Sequence, residues 1–317
     1  MKWPSASSAI GTIAIGKTGY VGRFAPSPTG PLHFGSLLAA TASYLEARRH
    51  GGQWLLRIED IDPPRQQDGA AELIVAALES YGFEWDGPII YQSASRPQHD
   101  QAIQQLLDKG LAYHCSCSRR DLADVPRGSL GTIYPGTCRG RTAGTDTAIR
   151  LLTTNEPVTF DDGLQGPQSQ RLESESGDFI VLRRDGLIAY QLAVAVDDAQ
   201  QGITEVVRGI DLMDSTPRQI HVQQSLGLNT PRYQHIPVAV HADGDKLSKL
   251  TGAKGLNLQE PRRGLLLALK SLHQAPPDDL ATAGLDTLWA WAQENWRIDR
   301  LRGHTAISTA EQAMAEL

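Results

Sequence analysis

The sequence predicts an α/β fold built on a parallel sheet, and three observations carry that expectation. Short apolar runs alternate with longer segments of helical period along the first hundred residues, the order that lays helices over a parallel sheet. The second of these runs, QWLLRIEDID (53–62), is mostly apolar at its start, as a strand buried on both faces must be. A stiff turn, RFAPSPTGPLHFGSL (Arg23–Leu37), joins the first run to the first helix. In open α/β sheets such a strand-to-helix turn is where ligands bind.

The elements follow in order. MKWPSASSAIGTIAIGKTGY (1–20) has its apolar stretch broken by Gly11 and Gly16. It is too short for a secretory core and reads as a loose extension. GYVGRFAPS is strand-like. FGSLLAATASYLEARRHGG spaces Phe34, Leu37, Leu38, Thr41, Tyr44 and Leu45 close to the helical period and stops at Gly51-Gly52. QDGAAELIVAALESYGF gives a helix ending near Gly82, and SRPQHDQAIQQLLDKGLAYHC gives another that leads into the cysteines. Residues 114–180 change character, with Cys, Arg, Gly, Ser and Pro and little periodicity, and read as an insertion. FIVLRRDGLIAYQLAVAVDDAQQGITEVVRG restores strands and a helix, so the parallel sheet resumes with right-handed crossovers. From Leu256 onward RRGLLLALKSLHQ and LDTLWAWAQENW are helical. There is no internal repeat.

The chain has 317 residues, 40% of them apolar and 21% charged, enough for a substantial core. A net charge of −6 argues against indiscriminate nucleic-acid binding, while leaving room for a local basic patch. No uninterrupted apolar window of about 18 residues exists, so no membrane span is expected. The three cysteines fall between 115 and 138. An odd, clustered set without a leader is no disulfide framework and points to a cytoplasmic protein. It reads as a metal site or as small buried residues.

Three stretches carry chemistry. In the first turn, the start of the following helix offers free N–H groups and a positive dipole end for phosphates. Gly30 and Gly35 let a ligand approach the backbone, Pro26, Pro28 and Pro31 stiffen the loop, and His33 is placed to donate to a phosphate. RIEDID puts Glu59 and Asp60 at the end of a buried strand. DKLSKLTGA (Asp245–Ala253) sets Lys246 and Lys249 in a Gly-flanked loop suited to a triphosphate. Cys115, Cys117 and Cys138 supply three thiolates of a tetrahedral zinc site. From residues alone, the fourth position is open between His114 and water, with Tyr134 an unusual ligand given a phenol pKa of about 10.

These stretches, in this order, resemble the class I aminoacyl-tRNA synthetases. HFGS (33–36) is similar to the HIGH signature, with Ser36 in place of its last His, and KLSKL (246–250) to the KMSKS loop. PSPTGPLHFG with LRIEDID, and VVRGIDLMDSTPRQ (206–219), resemble the glutamyl branch. The resemblance runs from about Arg23 to Ala253. Glutamyl-tRNA synthetases continue for well over a hundred residues beyond that loop, into an anticodon-binding domain; here 64 residues follow Ala253. That length, with CSC and YPGTC, resembles the truncated paralogue family, the glutamyl-Q tRNA(Asp) synthetases.

The resemblance implies a Rossmann-type parallel-sheet catalytic domain with a zinc-containing insertion and a short helical C-terminal region. It divides the chain into an extension (1–20), the first half of the catalytic domain (21–113), the insertion (114–180), the second half with the KMSKS-like loop (181–255) and the C-terminal region (256–317). It implies activation of L-glutamate with ATP, accompanied by Mg²⁺, and transfer to queuosine in the anticodon stem-loop of tRNA(Asp), by a monomer. Arg23 and Arg208 take carboxylate contacts, Ala25 and Ser27 line the same pocket, Glu59 takes the α-ammonium and Tyr190 supplies a hydroxyl. His33 and Lys249 are the catalytic residues, and Gly35, Ser36, Lys246 and Ser248 complete the ATP site. Zinc is held by Cys115, Cys117, Tyr134 and Cys138. Arg119, Arg120, Arg139 and Arg141 are candidates for RNA phosphates. Two other readings stand beside this one: a shortened glutamyl-tRNA synthetase charging the 3′ end, and a non-catalytic RNA-binding relic.

Overall fold

The computed structural model describes residues 19–128, 130–141, 144–240 and 254–308. Strand β1 (Val21–Phe24) runs through the proline-rich turn into α1 (Phe34–Arg49), and β2 (Gln53–Ile58) returns parallel to β1 with Arg23 opposite Leu55. After α2 (Ala70–Ser80), β3 (Ile90–Tyr91) adds parallel to β2. Helix α3 (Arg96–Asp108) leads to β4 (Ala112–Cys115), then to the small antiparallel pair β5 (Arg127–Gly128) and β6 (Gly131–Thr132). Next come β7 (Ala148–Leu151), the hairpin β8 (Val158–Asp162) and β9 (Gly166–Gln170), the single turn α4 (Leu172–Glu175) and β10 (Phe179–Leu182). The chain continues through α5 (Tyr190–Gln200), β11 (Glu205–Gly209), α6 (Thr216–Leu226), β12 (Arg232–Ile236) and β13 (Val238–Val240). It ends in α7 (Pro261–Ser271), α8 (Leu285–Asn295) and β14 (Ala306–Ser308).

Strands β11 and β12 pair in parallel, and the Thr204 N–H donates to the Val21 carbonyl at 2.9 Å, which sets β11 beside β1. The strands therefore run β3, β2, β1, β11, β12 across the molecule. The β8–β9 hairpin joins this edge through a parallel bridge between Asp162 and Tyr233. Chain order reverses between β1 and β11, which makes the crevice there the topological switch point of the sheet. Strand β2 is buried from Trp54 to Ile58 on both faces, as its apolar run requires. Strands β4, β7 and β10 form a separate antiparallel sheet.

Helix α1 is covered on nearly all sides, because Ala40, Ala42, Ser43 and Ala47 are small enough to admit both the sheet and the C-terminal helices. Leu265, Leu269, Leu288 and Trp296 share one core with Leu37, Leu45 and Trp54. The indoles of Trp289 and Trp296 donate to the Tyr81 carbonyl at 2.8 Å and to Glu46 at 2.6 Å. Gly264 is required where α7 passes Tyr81, just beyond α2, since a Cβ there would lie 2.4 Å from the Tyr81 hydroxyl.

The helices expected after Leu256 are present, and the tail adds a strand, β14, parallel to β13. Tyr20, placed in the extension by the sequence, is instead buried and stacked on His50 at 5.0 Å. The rest of that extension except Gly19, and the KLSKL stretch with Lys246, Ser248 and Lys249, lie outside the described residues. Among the described residues no helix is long and apolar enough to cross a membrane.

Candidate active site

Beyond the ends of β1 and β2 lies a cleft of about 340 Å³ whose lining includes Ser27, Pro28, Glu59, Gln92, Arg183 and Tyr190. A second depression, of about 540 Å³ around Arg262 and Arg263, holds none of the sequence-predicted residues. Glu59, just beyond β2, and Tyr190, in the first turn of α5, line it, while Arg23 on β1 and Arg208 on β11 stand close enough behind for their charges to act on Tyr190. The Glu59 N–H donates to the Pro26 carbonyl at 2.9 Å and so ties the proline turn, with Ala25 and Ser27, to the end of β2. Asp60 turns away, accepting the Ser93 N–H and hydroxyl at 2.7 Å each.

The charges beneath the cleft are arranged unequally. Arg23 makes a two-pronged pair with Asp198, at 3.2 and 3.3 Å. Arg57, wholly buried, reaches Asp198 at 2.8 Å, Glu59 at 3.3 Å and Gln201 at 2.9 Å. Asp197 accepts from Gln92 and contacts His99, both at 2.7 Å. Arg208 differs from its neighbours. Among the described residues it has no carboxylate partner, and its Nη1 is buried without a hydrogen bond.

Burial pushes the Glu59 carboxyl up, while the Arg57 and Arg23 charges pull it down; the net shift is upward. Burial likewise raises the Tyr190 phenol, with Glu59 acting in the same sense and Arg208 and Arg23 opposing. Asp198 is held low despite its burial, because two guanidinium groups grip it.

On the other side of the proline turn, His33 is the N-cap of α1, its Nδ1 accepting the Ser36 N–H at 3.3 Å. That bond fixes the neutral tautomer with the proton on Nε2. Gly35 and Ser36 form the first turn, where N–H groups lack helix partners. Gly255 bridges to His33, and the Leu256 N–H donates to the Leu32 carbonyl at 2.9 Å. The chain thus re-enters the described structure against the HFGS turn.

The cysteines converge. The sulfurs of Cys115, Cys117 and Cys138 lie within 4.8 Å of one another, Cys117 and Cys138 at 3.5 Å. The Tyr134 hydroxyl is 3.4 Å from Cys115 and 3.5 Å from Cys117. Gly177 makes room for Tyr134; its φ is +65°, and a Cβ there would lie 2.3 Å from the Tyr134 carbonyl oxygen. Arg150 donates to the Cys115 sulfur at 3.3 Å and stacks 3.8 Å over the Tyr134 ring, placing a cation beside the thiols. Burial pushes the Cys138 thiol up, but hydrogen bonds from Tyr134, Ser116 and Cys117 outweigh it and bring the thiol to about 6.

Two sequence-level candidates are corrected. His114, a candidate fourth ligand, alternates to the opposite face of β4 and holds Thr147 at 2.7 Å instead. Arg139, a candidate for RNA phosphates, is taken up by Asp178 and Glu173 and the Thr153 carbonyl. Arg119, Arg120 and Arg141 are exposed. Sequence reasoning missed Asp198, Arg57, Thr216, His235 and Asp162. Arg57 and Thr216 lie inside the LRIEDID and VVRGIDLMDSTPRQ stretches, and Asp198 is one of a pair of acids inside an apolar helix; His235 and Asp162 carried no signal.

The family model for the catalytic domain of class I tRNA synthetases (E and Q) matches residues 20–260, and the chain belongs to that family. It is 50% identical over 293 residues to the glutamyl-Q tRNA(Asp) synthetase of Dechloromonas aromatica (strain RCB), covering 91% of this chain and 97% of that one. It is 51% identical over 283 residues to the protein of the same name from Pseudomonas aeruginosa, covering 89% of this chain and 95% of that one. Among solved structures, the glutamate–tRNA synthetase of Elizabethkingia anophelis superposes with a TM-score of 0.76 at 23% identity, covering 93% of this chain and 69% of that one. This last likeness concerns the fold.

Proposed function

We propose that the protein activates L-glutamate with ATP and transfers it to queuosine in the anticodon loop of tRNA(Asp). The observation that carries the reading is Arg208, a buried cation with an unbonded Nη1 and, among the described residues, no carboxylate partner, near enough to the cleft for its charge to act on Tyr190. A permanently charged group buried this way invites an anionic ligand. Relatives about 50% identical over nine-tenths of the chain bear the name of that activity.

In this reading Arg208, with Arg23 beside it, meets the side-chain carboxylate of glutamate. Glu59 takes the ammonium, whose arrival offsets the burial that pushes its carboxyl up. Tyr190 donates its hydroxyl, and Ala25 and Ser27 close the pocket wall. A glutamate α-carboxylate oxygen attacks the α-phosphorus of ATP, a new O–P bond forms, and the bond to pyrophosphate breaks. The protein's share is positioning and neutralisation of charge. His33 Nε2–H and the first turn of α1, with Gly35 and Ser36, face the phosphates. Lys246, Ser248 and Lys249 attend the triphosphate, with Mg²⁺ accompanying ATP. The acceptor hydroxyl then attacks the activated carbonyl and AMP leaves.

The cysteine knuckle fits zinc. Four donors at about 3.8 Å spacing suit a tetrahedral ion with Zn–S bonds of about 2.3 Å; the tight spacing of Cys115, Cys117, Cys138 and Tyr134 supports that set. Zinc here would hold the 114–180 segment in shape. In the same reading the chain divides into two catalytic halves (21–113 and 181–255), the insertion (114–180) and the C-terminal region (256–317).

The test is transfer of labelled glutamate to an isolated anticodon stem-loop of tRNA(Asp). The loop with queuosine is glutamylated and the loop with guanosine is not. Label found on the 3′-terminal ribose of whole tRNA would favour a shortened glutamyl-tRNA synthetase instead.

A further inference from the structure

We infer that Asp162 and His235 are a positioning pair that fixes the Arg208 guanidinium beside the cleft without neutralising it. The inference rests on reading the cleft as the glutamate site. Arg23 and Arg57 both spend charge on Asp198. Among the described residues every acceptor of Arg208 is uncharged: its Nε donates to His235 Nε2 at 3.1 Å, and its Nη2 to the Thr216 hydroxyl at 2.8 Å and the Leu212 carbonyl at 3.4 Å. The guanidinium lies 5.3 Å from the centre of the Tyr233 ring, which is itself stacked on His235. A carboxylate directly on Arg208 would orient it equally well, but it would compete with an incoming anion.

The carboxylate instead stands one residue back. Asp162 Oδ2 is 2.6 Å from His235 Nδ1, and both side chains are wholly buried. An imidazole that donates from Nδ1 keeps its lone pair on Nε2, which is what the Arg208 N–H needs. A doubly protonated ring would set donor against donor. Asp162 cannot drift, because Leu164 and Gln165 N–H groups hold it at 3.0 Å each in the β8–β9 turn, and the His235 N–H reaches it at 3.2 Å. The hairpin that carries Asp162 comes from the 114–180 segment. That segment therefore reaches into the catalytic sheet and helps to fix the Arg208 guanidinium, whose Nη1 makes no hydrogen bond.

The test measures glutamate-dependent ATP–pyrophosphate exchange on the full chain for Asp162→Asn, His235→Phe and His235→Gln, with thermal unfolding alongside. Asp162→Asn and His235→Phe should raise the glutamate KM about tenfold to a hundredfold, the scale of a misaimed contact, with the KM for ATP moving by less than about twofold. The preference for glutamate over glutamine should narrow by the same factor. His235→Gln, which keeps an acceptor for Arg208 Nε, should recover most of the loss. If His235→Phe does not fold, the contrast between Asp162→Asn and His235→Gln decides. A folded Asp162→Asn with unchanged glutamate KM and unchanged preference overturns the pair, as does an equal rise in both KM values. Nitrogen-15 histidine spectra of the wild type give a readout apart from activity: the Nδ1–H tautomer is expected for His235, and Nε2–H overturns the proposal. A wild type without glutamate-dependent exchange, but with the expected tautomer, defeats the glutamate reading and the pair's role in it together.

Discussion

Arg208→Gln isolates the source of selectivity for glutamate. In the wild type, Arg208 is 5% exposed and has an unbonded Nη1. In the proposed reading a bound side-chain carboxylate completes a buried ion pair there, and removing one partner of such a pair costs about 3–5 kcal/mol. At about 1.4 kcal/mol per tenfold change, that is a factor of about 10²–10³ or more in kcat/KM for glutamate. The half-buried Tyr190 shows that the cleft admits some water, which argues for the lower end, about 10². Glutamine makes no such pair, so its kcat/KM should fall far less. Stability should behave differently from activity. The substitution removes an uncompensated buried cation and leaves only neutral partners, His235 and Thr216, to be re-satisfied. A loss of no more than about 1–2 kcal/mol is expected. The assay is pyrophosphate exchange with each amino acid, paired with urea unfolding. A variant destabilised by several kcal/mol that still prefers glutamate as strongly as before would show that Arg208 is structural, and would refute the reasoning.

Lys249→Ala should slow adenylate formation by roughly 10² or more, as loss of a charge-stabilising donor does, with glutamate affinity little changed; exchange rates equal to wild type would make Lys249 a surface lysine. The purified chain should carry about one zinc, lost on Cys115→Ser or Cys138→Ser, and metal analysis finding none in chelator-free wild type would reduce the cysteines to packing.

Periodicity made the scaffold legible. Strand β2 and helices α1, α7 and α8 each bury a face long enough to impose its own pattern on the sequence, and each lies where that pattern puts it. The residues proposed for the site were picked out by motifs, not by pattern. Glu59, Tyr190 and Arg208 come near one another only because β2 and β11 end close to where α5 begins, and nothing local in their segments says so. The supporting groups were harder to find. Asp162 lies 73 residues from His235, in a segment without periodicity, so no local signal could have paired them. Arg139 was misread for the converse reason. Sequence displays a charge but not the charge it faces, and Arg139, next to Cys138, looks free until Asp178 is placed against it.

Asp178 is the hub through which that arginine matters, and it yields the last prediction. Its carboxylate is wholly buried and accepts Arg139 twice at 2.6 Å, the Thr153 N–H at 2.8 Å, the Thr153 hydroxyl at 3.0 Å and the Tyr113 hydroxyl at 2.5 Å. Arg139 directly follows Cys138, and Arg150, which touches Cys115, donates to the Asp178 carbonyl at 2.7 Å. The hub therefore braces both ends of the cysteine knuckle. Asp178→Asn keeps the shape but turns an N–H₂ toward donors. Breaking a buried pair costs about 3–5 kcal/mol, and the partial exposure of Arg139 argues for about 3. Zinc should then leave the knuckle about tenfold faster or more, read with a coloured chelator, if about half of that cost falls on the knuckle. The pH dependence has a definite sign. Burial pushes the Asp178 carboxyl up, but Arg139, Tyr113 and Thr153 outweigh it and hold it below its ordinary value. Its contribution is thus complete above the ordinary aspartate range of about 3.9 and is lost as pH falls through the lower native value. Wild type should lose stability over that acid window, and Asp178→Asn should lose less there. A variant less stable at neutral pH yet releasing zinc at the wild-type rate would show that the hub supports the antiparallel sheet alone and leaves the knuckle to hold itself.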